Sequence, residues 1–150
     1  MRIVHGLAEL KGLVGQELGV SEWLQIDQSR IQRFADATGD QQWIHVNPKL
    51  AAKGPYGTTI AHGYLSLSVL TALAGQIYEV EGLNRTVNYG LDKVRFPSIV
   101  PVNSRVRDRI QLLSVTSVRS GTQAIVRHTL ELEGSDRPGC VAEQIRLMVE

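Results

Sequence analysis

Hydrophobic and polar positions change their period along this chain, and the change divides it into a helical first half and a stranded second half. In IDQSRIQRFADATG, Ile31, Phe34, Ala35 and Thr38 recur at helical spacing, Asp27 or Ser29 supplies a cap, and Gly39 stands where a C′ glycine belongs. The spacing predicts a short amphipathic helix over about 28 to 38. From Asp40 to Pro48 neither period is present. Pro48 then opens a second short helical segment, PKLAAKG, as proline suits a first turn. GPYGTTIAHG is rich in Gly, Pro and Thr and reads as loop.

From His62 the pattern becomes GYLSLSVLTALAGQIYEV, where Leu65, Val69, Ala72, Leu73, Gln76 and Ile77 make a helical stripe and the other faces carry small or apolar residues. A helix apolar nearly all round is a buried one. At ~1.5 Å per residue it makes a rod of about 25 Å, comparable to the width of a small sheet. The segments that follow, TVNYGLDKVRF, RVRDRIQLLSVTSV, TQAIVRHTLELE and CVAEQIRLMV, have strand composition and are separated by turn residues. In the third, Ala124, Val126, His128, Leu130 and Leu132 alternate with Ile125, Arg127, Thr129, Glu131 and Glu133, as in a half-buried antiparallel strand. The whole predicts an α+β chain, residues 1–150 in one domain, with a long buried helix lying on one face of an antiparallel sheet.

Composition narrows the partners. The 16 Lys and Arg against 15 Asp and Glu leave a net charge of +1, so no global field draws the molecule to nucleic acid or to a membrane. The single cysteine, Cys140, has no intrachain disulfide partner, and MRIVHGLAELKG lacks the zones of a signal peptide. The most apolar run, Leu65 to Ile77, is interrupted by Ser66, Ser68, Thr71 and Gln76 and falls short of the ~18 residues of a membrane span. The expectation is a cytoplasmic protein that meets a small or locally charged partner.

Three groups of residues carry candidate chemistry. Asp40 and His45 are five positions apart, a spacing that regular structure would keep from converging, and only a loop of the kind predicted between Gly39 and Pro48 lets them meet. A carboxylate and an imidazole that reach one water perform general acid and base chemistry on it. Asp after Gly is also a common turn residue, and a loop histidine beside tryptophan is often only packed, so the spacing leaves both readings open. Asp36, a rival carboxylate, falls on the polar side of its helix. The second group is IAHGYLSLS: a glycine in the first turn of a buried helix exposes N–H groups without an intrahelical partner, which suits a developing oxyanion, while His62 reads as a capping or packing residue. The third is a basic stretch with Arg85, Lys93, Arg95, Arg105, Arg107 and Arg109 against Asp92 and Asp108. Lys93 and Arg95, two apart on one strand, share a face that suits a phosphate, whereas the 105 to 109 set reads as a solvated face. His128, on an apolar strand face, reads as a satisfied core histidine. No P-loop, dinucleotide fingerprint, nucleophile elbow, HExxH or CxxC is present, which argues against nucleotide, serine-hydrolase and metal chemistry.

From about Val20 onward the chain resembles the MaoC-like dehydratases, or (R)-specific enoyl-CoA hydratases. The resemblance is carried by FADATGDQQWIH, PYGTTIAHGYLSLSVL and KVRFPSIVPVNSRV, with Phe34, Gly39, Asp40, His45 and Ala51 matching the family motif. One departure stands out: Gln42 and Trp43 occupy the places of the usual Asn-Pro, and GDQQWIH resembles a sub-branch that includes NodN-like proteins. The resemblance implies a hot-dog fold, an antiparallel sheet wrapped around a long central helix, and a homodimer. It implies hydration of a trans-2-enoyl thioester to the (R)-3-hydroxyacyl thioester, with coenzyme A as part of the substrate and no metal or redox cofactor. Asp40 and His45 would then be the catalytic pair, either one the base. The N–H of Gly63, beside His62, would meet the thioester oxygen. Tyr64, Leu65, Thr71, Asn88 and Tyr89 would neighbour the acyl tunnel, and Lys93 and Arg95 the coenzyme A phosphates. Two alternatives share this fold: an acyl-CoA thioesterase, and a non-catalytic acyl-thioester-binding subunit for which the Gln42 and Trp43 departure is the motive. Chain length and the choice between coenzyme A and an acyl carrier protein stay open.

Overall fold

The apolar run after His62 folds into one helix, and the strands that follow it curl around that helix. The computed structural model describes all residues, Met1–Glu150. In chain order the elements are β1 (Arg2–Val4), α1 (Gly6–Gly12), β2 (Glu17–Val20), β3 (Leu24–Ile26), α2 (Gln28–Thr38), α3 (Trp43–Val46), α4 (Pro48–Ala51), α5 (Gly63–Ile77), β4 (Tyr78–Val80), β5 (Arg85–Arg95), β6 (Ser104–Val118), β7 (Gly121–Leu132) and β8 (Cys140–Val149). The main sheet runs β2-β6-β7-β8-β5 with antiparallel neighbours, and β3 pairs with the first residues of β6. β1 and β4 form a separate parallel pair.

Local signals account for the helix bounds. Of the two candidate caps for α2, Asp27 is the one used, accepting from the Arg30 N–H at 2.7 Å. Gly39 ends the helix at φ 79°, a left-handed conformation that favours glycine, with its N–H on the Ala35 carbonyl at 2.8 Å. Pro48 sits in the first turn of α4, and Asn47 caps it through the Leu50 N–H at 3.0 Å. The stretch from Asp40 to Pro48 is less irregular than its lack of period implies, because Trp43–Val46 closes one helical turn. Four residues are too few to display a period.

The prediction for α5 needs correction on its faces. Leu65, Val69, Leu73 and Ile77 are buried as expected, but so are Ser66, Leu70 and Ala74, while Ala72 and Gln76 are exposed. The sheet covers one side of α5 and leaves an open face with Tyr64, Ser68, Thr71 and Gly75. Small side chains blur the amphipathic contrast, so the helix reads as apolar all round while only half of it is covered.

Two apolar clusters flank α5. One joins Ile26, Ile31, Leu65, Val69, Leu73, Val106 and Leu130; the other joins Val4, Leu10, Leu18, Ile77, Ile110, Leu112 and Met148. The second cluster depends on the N-terminal elements β1, α1 and β2, whose short segments carry no period long enough to be read from sequence. The predicted solvated face is present: Arg105 pairs with Glu133, Arg107 and Arg109 with Glu131, and Arg109 also with Glu17. Each such exposed pair contributes on the order of 0–1 kcal/mol. Cys140 is fully buried and its thiol is pushed up to about 12 by burial, as packing rather than nucleophilic use requires. No helix is long and apolar enough to cross a membrane.

Candidate active site

Asp40 and His45 converge where α2 ends and α5 begins. The left-handed Gly39 turns the chain so that Asp40 starts a new direction, and the turn of α3 brings His45 back toward it, with the His45 N–H on the Gln42 carbonyl at 2.9 Å. One ligating atom from each of Asp40, His45 and His62 lies within 4.8 Å of the others, a separation that a single water bridges. Asp40 is exposed and His45 is 6% exposed, so the pair has one wet member and one dry member.

Each ring nitrogen of His45 has a distinct environment. Nδ1 donates to the Ile60 carbonyl at 2.7 Å, and because a carbonyl only accepts, the proton of the neutral ring is fixed on Nδ1 and the lone pair on Nε2. Burial holds the imidazole below its ordinary pKa; the Ile60 carbonyl opposes this, His62 adds to it and Asp40 opposes it. The ring is therefore kept neutral with Nε2 as an acceptor. Its backbone is fixed from a distance: Gln28 donates to the His45 carbonyl at 2.8 Å, and Thr59 donates to Gln28 at 2.6 Å. No sequence spacing announces that relay, since its members come from three segments.

His62 occupies the cap position of α5 without making a side-chain cap bond. Its Nε2 donates to the Asp40 carbonyl at 3.0 Å, its ring stacks on His45 with centroids 3.8 Å apart, and Phe34 tilts against it at 5.0 Å. The packing role read from sequence holds, with a second one added: His62 pins the Asp40 backbone to the start of α5. The three ligating atoms meet the distance condition for a metal ion, yet the two imidazole planes lie within 24° of each other. In-plane lone pairs of stacked rings run side by side instead of meeting on one ion, so these residues fit a water better than a chelated metal.

Gly63 is the first residue of α5, and its N–H has no intrahelical acceptor. A Cβ at this position would stand 3.3 Å from the Phe96 ring, so the glycine allows the loop after β5 to close against the helix start. His45, Gly63, Ser66, Phe96 and Val100 line a cavity of about 150 Å³ there. Trp43, at the place of the usual proline, sits at the first position of α3, where a proline's missing N–H would cost nothing. Its ring lies on Gly54, where any Cβ would stand 2.8 Å from it. The turn that carries His45 is thus formed with Trp at this position. Ala51, the last motif match, is the buried last residue of α4.

The remaining candidates divide. Thr71 and Asn88 line a second cavity of about 270 Å³ between α5 and β5, whereas Leu65 is core. Tyr64 and Tyr89 are 72% and 70% exposed, and neither lines either cavity. Lys93 and Arg95 do not share a regular face: Lys93 has φ 49° and the register shifts between Asp92 and Arg95, so the strand alternation fails there. Lys93 reaches Glu143 at 3.3 Å, while Arg95 donates to the neighbouring Val94 carbonyl. Asp36 is fully exposed and held by Gln32 and Gln41, which keep its carboxyl below the usual range.

Comparison with known proteins identifies the family and the fold. Residues 9–133 match the family model described as "MaoC like domain". The chain is 51% identical over 146 residues to 3-hydroxyacyl-thioester dehydratase Z of Mycobacterium tuberculosis, covering 97% of each. It is 43% identical to nodulation protein N of Rhizobium leguminosarum bv. viciae, covering 95% of this chain and 90% of that one. The resemblance therefore begins earlier than Val20, and the NodN-like sub-branch is borne out. Among solved structures, the R-hydratase PhaJ1 from Pseudomonas aeruginosa superposes with a TM-score of 0.74 at 20% identity, covering 91% of this chain and 82% of that one. The (R)-hydratase from A. caviae gives 0.73 at 20% identity, covering 89% and 95%. The central helix wrapped by an antiparallel sheet is the hot-dog fold, and the chain belongs to the MaoC-like dehydratase family of hydro-lyases.

Proposed function

We propose that the chain is an (R)-specific hydratase that adds water to a trans-2-enoyl thioester, normally of coenzyme A, and that also runs the reverse dehydration. The observation that carries this reading is the neutral, buried His45, its Nε2 lone pair unspent, in a cluster with the exposed Asp40 whose ligating atoms lie within 4.8 Å of one another. The lone pair can only accept, so in the hydration direction His45 takes one proton from the water while Asp40 accepts the other hydrogen bond and orients it. The hydroxyl oxygen bonds to Cβ as the C=C electrons shift toward the thioester carbonyl. The Gly63 N–H at the start of α5 stabilises the oxygen on which that charge collects. His45 then returns its proton to Cα from the same side, so that one water has been added and both residues are restored. The scheme needs no metal or redox cofactor.

A homodimer belongs to the same proposal. β5 is the edge of the main sheet, with Val87, Tyr89 and Leu91 exposed along it, and an open apolar edge is a template for pairing. A cytoplasmic location also belongs to it, supported by the lone buried thiol of Cys140. Purified protein is expected to consume crotonyl-CoA with loss of its conjugated absorbance and to yield the (R)-alcohol. Release of free thiol from saturated acyl-CoA without hydration would favour the thioesterase, and acyl-CoA binding without turnover the accessory subunit. Arg95 is proposed to meet the coenzyme A phosphates, with Lys93 divided between them and Glu143.

A further inference from the structure

The inner face of the sheet, which should be apolar, carries a polar chain under the middle of α5. Asp108 on β6 and His128 on β7 are 0% and 2% exposed and meet at 2.7 Å through Asp108 Oδ2 and His128 Nδ1. His128 Nε2 lies 3.1 Å from Gln144 Oε1 on β8. Leu67, Thr71, Asn88, Leu91, His128 and Gln144 line the cavity of about 270 Å³ between α5 and β5. The other atom of the Gln144 amide has no protein partner, and the side chains of Asn88 and Thr71 make no hydrogen bond within the chain. No Lys or Arg lines the cavity, and the Asp108 carboxylate is closed off behind His128.

The cavity lies on the line of the reaction site. Gly63, Leu67, Leu70 and Thr71 fall at i, i+4, i+7 and i+8 on one stripe of α5, so a chain whose thioester sits at Gly63 runs along the helix toward it. Gly63 and Thr71 are separated by about 12 Å along the helix axis at ~1.5 Å per residue. Thr71 and Asn88 are exposed on the open side of the cavity and Gln144 is half-buried, so a plain alkyl chain lying there would displace water from these groups without replacing its hydrogen bonds, which a site built for hydrogen bonding penalises. An anionic chain end would find no cation. An uncharged oxygen function satisfies both conditions.

We propose, resting on the hydratase reading above, that this cavity receives the distal acyl chain and selects thioesters whose chain carries a hydroxyl or keto oxygen over plain alkyl chains. The test compares trans-2-octenoyl-CoA with its 8-hydroxy derivative, with crotonyl-CoA, too short to reach the cavity, as the control for hydration itself. The hydroxylated substrate is expected to have about tenfold or greater advantage in kcat/KM. That ratio is expected to collapse toward one in Gln144→Leu and in Thr71→Val, each compared within the same variant. Calorimetry with saturated octanoyl-CoA and 8-hydroxyoctanoyl-CoA reads the same preference as a ratio of Kd without turnover. Failure on crotonyl-CoA would sink the hydratase reading while the Kd ratio still decides the cavity. Equal or alkyl-favoured ratios in the native protein, or a preference that survives both substitutions, would overturn the proposal.

Discussion

Two aspartate–histidine pairs occur in this molecule, and they are built in opposite ways. Asp40 stands on the loop after α2 and His45 on the single turn of α3, both beside the start of α5, where the aspartate is exposed and His45 spends only Nδ1 on the Ile60 carbonyl. Asp108 and His128 stand on neighbouring strands beneath α5, both buried, with Nδ1 on Asp108 and Nε2 against Gln144. The first pair keeps an unused lone pair and an approach for water. The second has neither nitrogen left over. Residue type therefore says little about chemistry until each nitrogen has been accounted for, and the strand-borne pair serves as structure and as cavity wall.

The comparison breaks most sharply under substitution. Asp40→Asn or His45→Gln is expected to lower kcat on an enoyl-CoA by about 10² to 10⁴, the range for a positioned acid or base. Asp40→Asn, on an exposed side chain whose Oδ1 contact to the Gln42 N–H is retained, is expected to change the unfolding free energy by no more than about 0.5 kcal/mol. His128→Leu should do the reverse: it strands the Asp108 carboxylate in the core and costs about 3–5 kcal/mol in denaturant titration. The double variant Asp108→Leu/His128→Leu should recover most of that loss, since a buried pair replaced by apolar side chains is often no less stable. A His128→Leu protein of native stability would show that the pair carries no structural load.

What sequence revealed follows the same division. α2, α5 and the four long strands were legible because each repeats its period several times, and Asp40 and His45 because Gly39 and Pro48 bracket the loop that holds them. His128 was legible as a partnered core residue from the alternation of β7. Its partners were not, because Asp108 and Gln144 are 20 and 16 residues away and the cross-strand register sets the contact. The link from His62 to the Asp40 backbone was hidden for the same reason: it joins two loops across 22 residues. Lys93 shows the opposite failure, where a period was assumed and a bulge broke it.

The oxyanion role of Gly63 can be separated from its small size. Gly63→Pro removes the N–H, and the site accepts it locally: proline suits the first position of a helix, and His62, at ψ 141°, already has the extended conformation required before proline. Gly63→Ala keeps the N–H and adds only the Cβ that approaches Phe96 at 3.3 Å. The proline variant is expected to lose about 10² to 10³ in kcat relative to the alanine variant, the loss seen on removing one oxyanion donor. Equal rates would assign the thioester oxygen to another group.

The smallest expected effect is on pH, where the two pairs pull in opposite directions. The imidazole of His45 is held by burial below its ordinary value of 6.5, so the unfolded chain binds more protons than the folded one in the window beneath 6.5. Its contribution to stability is complete above 6.5 and falls as the pH drops toward the depressed value, and the acid limb of kcat/KM should lie below 6.5 as well. Asp108 is raised above 3.8 by burial, which outweighs the lowering by His128. Its contribution is fullest below 3.8 and is lost as the pH rises through the raised value. Denaturant titrations across the acid range should therefore show a slope that His45→Gln flattens just below 6.5 and that Asp108→Asn alters from 3.8 upward. An acid limb at or above 6.5 would mean that His45 is solvated in the working enzyme, and the dry member of the first pair would have to be sought elsewhere.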